Sequence, residues 1–161
     1  EPLIAKWPGK IKRGSRCDEP VIGMDFYPTF LEMAGLPAMK DEHLDGVSIC
    51  PLLKDGSAKL KREKLYWHYP HYHRTKPYGA IRDGDWKLIE FFENGDLELF
   101  NLKADPFEEK NLAAEDPKKV ATLSKGLKAW RQSVGAQMMT PNPAYDPNSA
   151  GGRRKAGKKK K

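Results

Sequence analysis

Between Gly79 and Leu102 the chain alternates three short apolar runs with the dipeptides Asp83-Gly84 and Asn94-Gly95. Both dipeptides suit the positive φ angles of tight hairpin turns, so the stretch predicts a three-stranded antiparallel meander. Its middle run, Trp86 to Phe92, carries Trp86, Leu88, Ile89, Phe91 and Phe92. That is more apolar surface than one face can hold, and both faces of the sheet are expected to be at least partly covered. Leu65 to Tyr69, closed by Pro70, adds a fourth strand. Downstream, Asp116 as N-cap and Pro117 at the first helical position open a helix. Val120, Leu123, Leu127, Trp130 and Val134 then recur as one stripe, the natural cover for the sheet. Gly126 interrupts this helix at a cost of about 1 kcal/mol relative to alanine.

The first third is patterned differently. Leu3 to Trp7 reads as a strand stopped by Pro8-Gly9, and Val21 to Met24 as a second extended piece. Asp25 is placed to cap a helix in which Phe26, Phe30, Met33 and Ala34 repeat on one face, with Gly35 and Pro37 as its stop. Strand, strand and helix in this order look like the trailing edge of an α/β layer. Ser48 is expected to cap a further short helix through Leu52 and Leu53, ended by Asp55-Gly56. The charged stretch Lys59 to Lys64 is the connector to the sheet. These patterns divide the chain into residues 1–57, an α/β tail; 58–137, an α+β module of four antiparallel strands and one helix; and 138–161, an extended segment and a basic tail expected to be disordered.

Charge adds a correction. The formal net charge is +7, yet Arg153, Arg154, Lys155 and Lys158 to Lys161 supply seven positive charges without an acid among them. The first 152 residues are therefore balanced, at 22 basic against 22 acidic, and the pI near 9.3 is no argument for a nucleic-acid-binding fold. Cys17 and Cys50 match no zinc or redox spacing. No apolar run approaches the roughly 18 residues of a membrane span. The chain opens with Glu1-Pro2 and shows no signal peptide, and reads as the later part of a longer polypeptide.

Four stretches point to one family. Residues 2–11 (Pro-Leu-Ile-Ala-Lys-Trp-Pro-Gly-Lys-Ile) resemble the strand and turn that open the C-terminal third of type I sulfatases, and residues 25–37 (Asp-Phe-Tyr-Pro-Thr-Phe-Leu-Glu-Met-Ala-Gly-Leu-Pro) resemble the helix that follows. Residues 44–53 (Leu-Asp-Gly-Val-Ser-Ile-Cys-Pro-Leu-Leu) look like the next segment, and residues 99–112 (Leu-Phe-Asn-Leu-Lys-Ala-Asp-Pro-Phe-Glu-Glu-Lys-Asn-Leu) like the sheet-to-helix signature. The resemblance implies an alkaline-phosphatase-like α/β parent that hydrolyses sulfate esters of a sulfated carbohydrate or an aryl sulfate. It also implies a formylglycine nucleophile made within a Cys/Ser-x-Pro-Ser-Arg motif, a calcium ion held by Asp and Asn oxygens, and a periplasmic or secreted setting. Hard oxygen ligands suit calcium, and clustered cations suit charge spread over a sulfate. Neither Cys17-Asp-Glu-Pro nor Cys50-Pro-Leu-Leu fits that motif, so this stretch is expected to ligate neither group and to be inactive alone. Its expected partners are the sulfated small molecule or glycan and the missing N-terminal part, with no membrane and no specific nucleic acid. A phosphodiesterase or phosphonate hydrolase of the same superfamily is the alternative enzyme, and a non-catalytic polyanion-binding module the alternative outside enzymes.

Three of the four histidines fall in residues 67–74, which contain His68, His71, His73 and Arg74 among Trp67, Tyr69 and Tyr72. These four are the candidate substrate-binding residues: imidazoles and a guanidinium favour an anion, and the aromatic rings offer flat stacking surfaces. An aromatic strand with locally satisfied histidines is the plainer reading. A metal site is a third reading, although Pro70 gives no fixed facial geometry. No residue of the chain is assigned to catalysis or to metal. Asp83 and Asp96 adjoin turn glycines and are read as turn residues.

Overall fold

The computed structural model describes residues 2–42, 45–73, 75–140 and 143. Four strands, β1 (Lys64–Tyr69), β2 (Tyr78–Asp83), β3 (Trp86–Phe91) and β4 (Leu97–Asn101), form one antiparallel sheet in the order β1-β2-β3-β4. Three helices accompany it: α1 (Phe26–Met33), α2 (Cys50–Lys54) and α3 (Pro117–Ser133). The two turn dipeptides act as expected, with Gly84 at φ 58° and Gly95 at φ 74°, a region that costs a residue with a Cβ. β2 and β3 are joined tightly, Asp83 pairing with Trp86.

The pleat sorts the side chains. Tyr66, Ile81, Leu88 and Leu99 lie in one cross-strand row. α3 packs Leu123 and Leu127 onto that row, and these two join Ile81, Leu88 and Leu99 in a cluster at most 2% exposed. Tyr66 stacks on Trp130 at 4.8 Å between centroids, and the Lys119 ammonium sits 5.2 Å from the Trp86 ring centre. Asp116 caps α3 by accepting from the Lys119 N–H at 2.9 Å. Gly126 has a packing reason: a Cβ there would meet Ile81 Cδ1 at 3.3 Å, so the glycine lets the helix approach the sheet closely. Val134, read as the end of the stripe, is instead 51% exposed, because the helix stops at Ser133 and Gly135 turns away at φ 62°. The face opposite α3 is also partly covered, with Leu65, Ala80 and Phe100 buried.

Two expectations for the first third are corrected. Leu3 to Trp7 and Val21 to Met24 form no strand among the described residues, and Ile4 is 91% exposed. A strand needs a neighbour's N–H and C=O groups, and no described segment lies alongside to supply them. Gly23–Asp25 is a single 3₁₀ turn leading into α1. The second correction concerns Asp25, whose carboxylate does not cap α1 but turns back to accept from the Ile22 and Val47 N–H groups at 2.9 and 3.1 Å. Thr29 anchors the next segment, its hydroxyl accepting from the Ile49 N–H at 2.9 Å. Ser48 meets its expectation in part: its oxygen accepts from the Cys50 N–H at 3.2 Å, while Ile49 occupies the cap position of α2.

Candidate functional site

The site is built at the end of the sheet where β1 passes into β2. Pro70 follows β1, and fully buried Pro77 immediately precedes β2, its carbonyl accepting from the Phe92 N–H at 2.9 Å. Between them lies the segment that carries three of the four candidate residues. His71 and His73 are exposed. The His71 ring meets the Tyr69 ring edge-on at 5.7 Å, and His73 forms an isolated bridge with Thr75. Arg74 lies outside the described residues.

Strand register extends this segment into a row of rings. Tyr69 pairs with Tyr78 and Tyr78 with Phe91, all three half-buried on the face opposite α3. The Tyr69 and Tyr78 rings are 5.9 Å apart, and those of Tyr78 and Phe91 6.5 Å. Trp67 is on the same face. Glu93, in the turn after β3, holds the segment from below: it accepts from the Tyr72 hydroxyl at 2.8 Å and pairs with Lys76 at 3.5 Å. Tyr78, Phe91, Lys76 and Glu93 were not read from the sequence as residues of this site. For the two aromatics the signal was present in the alternation along β2 and β3. For Glu93 no local signal exists.

His68 is separated from the other two histidines. It lies on the α3 face, where its Nε2 donates to the Gln137 carbonyl at 2.8 Å and its ring rests 5.4 Å from that of Phe92. Its Nδ1 is buried without a partner among the described residues. Beside it, Arg131 donates to Glu90 at 2.6 Å and lies 5.3 Å from the Phe92 ring centre. Gly79 leaves the room this needs, since a Cβ there would come within 3.1 Å of Phe92 and 3.3 Å of Arg131.

Electrostatically, the strongest feature lies away from the histidines. Asp25, fully buried, receives both arms of Arg62, at 2.6 and 2.8 Å, which ties α1 to the connector before β1. Burial alone would raise the Asp25 carboxyl, but Arg62 and the two backbone N–H donors outweigh it and hold the group below its ordinary range. Lys59 lowers Glu19 in the same way across a 2.8 Å contact, and Glu19 also accepts from the Leu60 N–H.

Among the described residues no three His, Cys, Asp or Glu side chains converge on a point. They do not fit a calcium cage of about six to eight oxygens. Cys17 is exposed and Cys50 buried, both as free thiols. Among the described residues no helix is long and apolar enough to cross a membrane. What the geometry offers is a rigid aromatic row edged by imidazoles.

The family model for N-sulphoglucosamine sulphohydrolase, C-terminal, matches residues 1–134. The chain belongs to this sulfatase family. It is 37% identical over 145 residues to a sulfatase of Formosa agariphila, covering 80% of this chain and 26% of that protein. It is 38% identical over 117 residues to the N-acetylglucosamine-6-O-sulfatase of Bacteroides thetaiotaomicron, covering 69% of this chain and 21% of the relative. The solved structure of BT4656 in complex with its substrate D-glucosamine-2-N,6-O-disulfate superposes with a TM-score of 0.67 at 33% identity, over 81% of this chain and 28% of that one. The chain thus spans about a quarter of the length of the proteins it matches. The sheet-and-helix unit belongs to the alkaline-phosphatase-like fold of those sulfatases.

Proposed function

We propose that this chain serves as the C-terminal part of an enzyme hydrolysing sulfate esters, and that it walls the substrate cleft while nucleophile and metal are supplied elsewhere. Residues 1–57 act as the end of the catalytic α/β domain, 58–137 as the subdomain that carries the wall, and 138–161 as an appendage. The observation that carries this reading is the structural match, at 33% identity, to a protein whose complex holds a doubly sulfated glucosamine.

The substrate class follows as a sulfated carbohydrate. A sugar ring presents C–H groups to a flat aromatic face, as the row Tyr69, Tyr78 and Phe91 would require, and sulfate oxygens accept from imidazole N–H groups. His71 and His73, at the exposed edge of that row, are the residues for this contact, with Arg74 beside them in sequence. His68, facing α3, acts at one remove by holding the segment after the helix. Calcium and formylglycine belong to the proposed parent chemistry, and the described residues supply neither.

The test uses the 161-residue chain and D-glucosamine-2-N,6-O-disulfate as probe, with amide and ring resonances followed by NMR and sulfate release measured on the same sample. Shifts confined to residues 69–78 and 91–93, without sulfate release, are expected. Release of sulfate by the chain alone would overturn the division of labour. Shifts elsewhere, with residues 69–78 silent, would overturn the wall.

A further inference from the structure

Helix α3 contains five basic residues and no acid. The fold uses two of them on the sheet side: Arg131 pairs with Glu90, and Lys119 lies over Trp86. The other three, Lys118, Lys125 and Lys128, are exposed, and none of their ammonium groups makes a hydrogen bond or ion pair with a described residue. At i, i+7 and i+10 they fall on the outer face of the helix, spread over about 15 Å of its length. Exposed Thr122, Ala129 and Gln132 fill that face without adding a negative charge.

This segregation is strong for the chain as a whole. α3 and the run from Arg153 take 12 of the 29 basic residues and none of the 22 acidic ones, leaving the remainder with 17 basic against 22 acidic. In the first third, exposed Lys6, Lys10 and Lys12 make no ion pair with a described residue either, but lysines on the strands and on α2 are neutralised locally, as in Lys64–Asp83, Lys87–Glu108 and Lys54–Glu32. The outer face of α3 is the described helical surface where this does not happen. A row of unpaired ammonium groups on a rigid rod attracts a linear polyanion through counterion release.

We propose that the outer face of α3, through Lys118, Lys125 and Lys128, is a docking surface for a sulfated polysaccharide chain, separate from the aromatic row that contacts a single sugar. The occupant is chosen by charge complementarity, and its being a glycan and not a nucleic acid rests on the sulfatase reading above. The surface would hold the polymer while its units are presented to the cleft.

The experiment measures binding alone, so its outcome is independent of whether sulfate is released. The full chain is run on immobilised heparin, and its affinity for soluble heparin is measured against salt. Lys118→Gln/Lys125→Gln/Lys128→Gln is compared with the equally charged control Lys6→Gln/Lys10→Gln/Lys12→Gln, all of whose sites are exposed. Every variant keeps residues 153–161, so their contribution cancels. Glutamine is a good helix former, and the arginine triple at the α3 positions serves as rescue. The α3 triple is expected to elute at lower salt, with the log–log salt slope reduced by about two units, and arginine is expected to restore it. An unchanged slope in the α3 triple, or an equal fall in the control, overturns the surface. Tighter retention of a DNA duplex than of heparin, lost with the same three lysines, overturns the glycan as its occupant.

Discussion

Replacing Arg62 with alanine probes the strongest long-range tie in the molecule. Asp25 is fully buried and accepts two bonds from Arg62 and one each from the Ile22 and Val47 N–H groups. Removing the guanidinium leaves a buried carboxylate with backbone donors only, a change that costs about 3–5 kcal/mol where a buried pair loses one partner. The pH dependence gives a second, independent reading. In the native protein Asp25 is held below its ordinary range, so its contribution is present above the unfolded carboxylate value near 3.9 and is lost as pH falls through the folded one. Without Arg62, burial dominates and pushes the same carboxyl up. The sign then reverses: folding is penalised at neutral pH and relieved as the pH falls and the group takes a proton. Urea unfolding of Arg62→Ala and the unmodified chain, followed by tryptophan fluorescence, should therefore show a gap that is widest near pH 7 and narrows steadily toward about pH 4. Arg62→Lys, which keeps the charge and loses the fork, should fall between them. A loss below about 1 kcal/mol at pH 7, or a gap that does not change with pH, would refute the argument.

Three further outcomes test other parts of the fold. Leu127→Ala, at a position with no exposed surface in the α3–sheet cluster, should cost about 2–5 kcal/mol in a denaturant melt. Asp116→Ala removes the α3 cap and should cost about 1 kcal/mol, with amide exchange accelerated first at Lys118 and Lys119. Gly46→Ala would press a Cβ into the Met24 carbonyl, a backbone atom that has no rotamer to yield. Its expected signature is faster proteolytic cleavage between residues 15 and 25, while the sheet keeps its exchange protection.

Local chemistry made some of this legible in advance and left the rest unreadable. The two hairpins are written in Asp83-Gly84 and Asn94-Gly95, because few other residues tolerate the φ values found at Gly84 and Gly95. α3 is written in Asp116-Pro117 and in the stripe through Leu123 and Leu127. The Asp25–Arg62 pair joins residues 37 apart and leaves no trace in either neighbourhood. Asp25 looked like a helix cap because residue type and spacing are the same for a cap and for a buried ion-pair partner. Strands over Leu3 to Trp7 and Val21 to Met24 had the right composition, but pairing is a property of two segments and no second one lies alongside among the described residues. At the candidate site, the cluster of imidazoles was visible as composition, and its division was not drawn from the alternation that would have revealed it. Adjacent residues of a strand point to opposite faces, so His68 and Tyr69 part company even before Pro70 ends the strand.

That parity gives the two faces of this sheet different surroundings. On one face, the two rows toward the β1–β2 end are occupied: Leu88 and Ile81 lie beneath α3, and Glu90 and His68 are engaged by Arg131 and Gln137. A ligand entering there would have to break an ion pair and lift a helix. On the other face the equivalent row is Tyr69, Tyr78 and Phe91, half-buried, in mutual ring contact, and bordered by exposed His71. The helix therefore does more than bury the core. By closing one face with leucines and an arginine clamp, it leaves the half-buried aromatic row on the opposite face as the more open of the two, and it turns its own unpaired lysines outward, away from both.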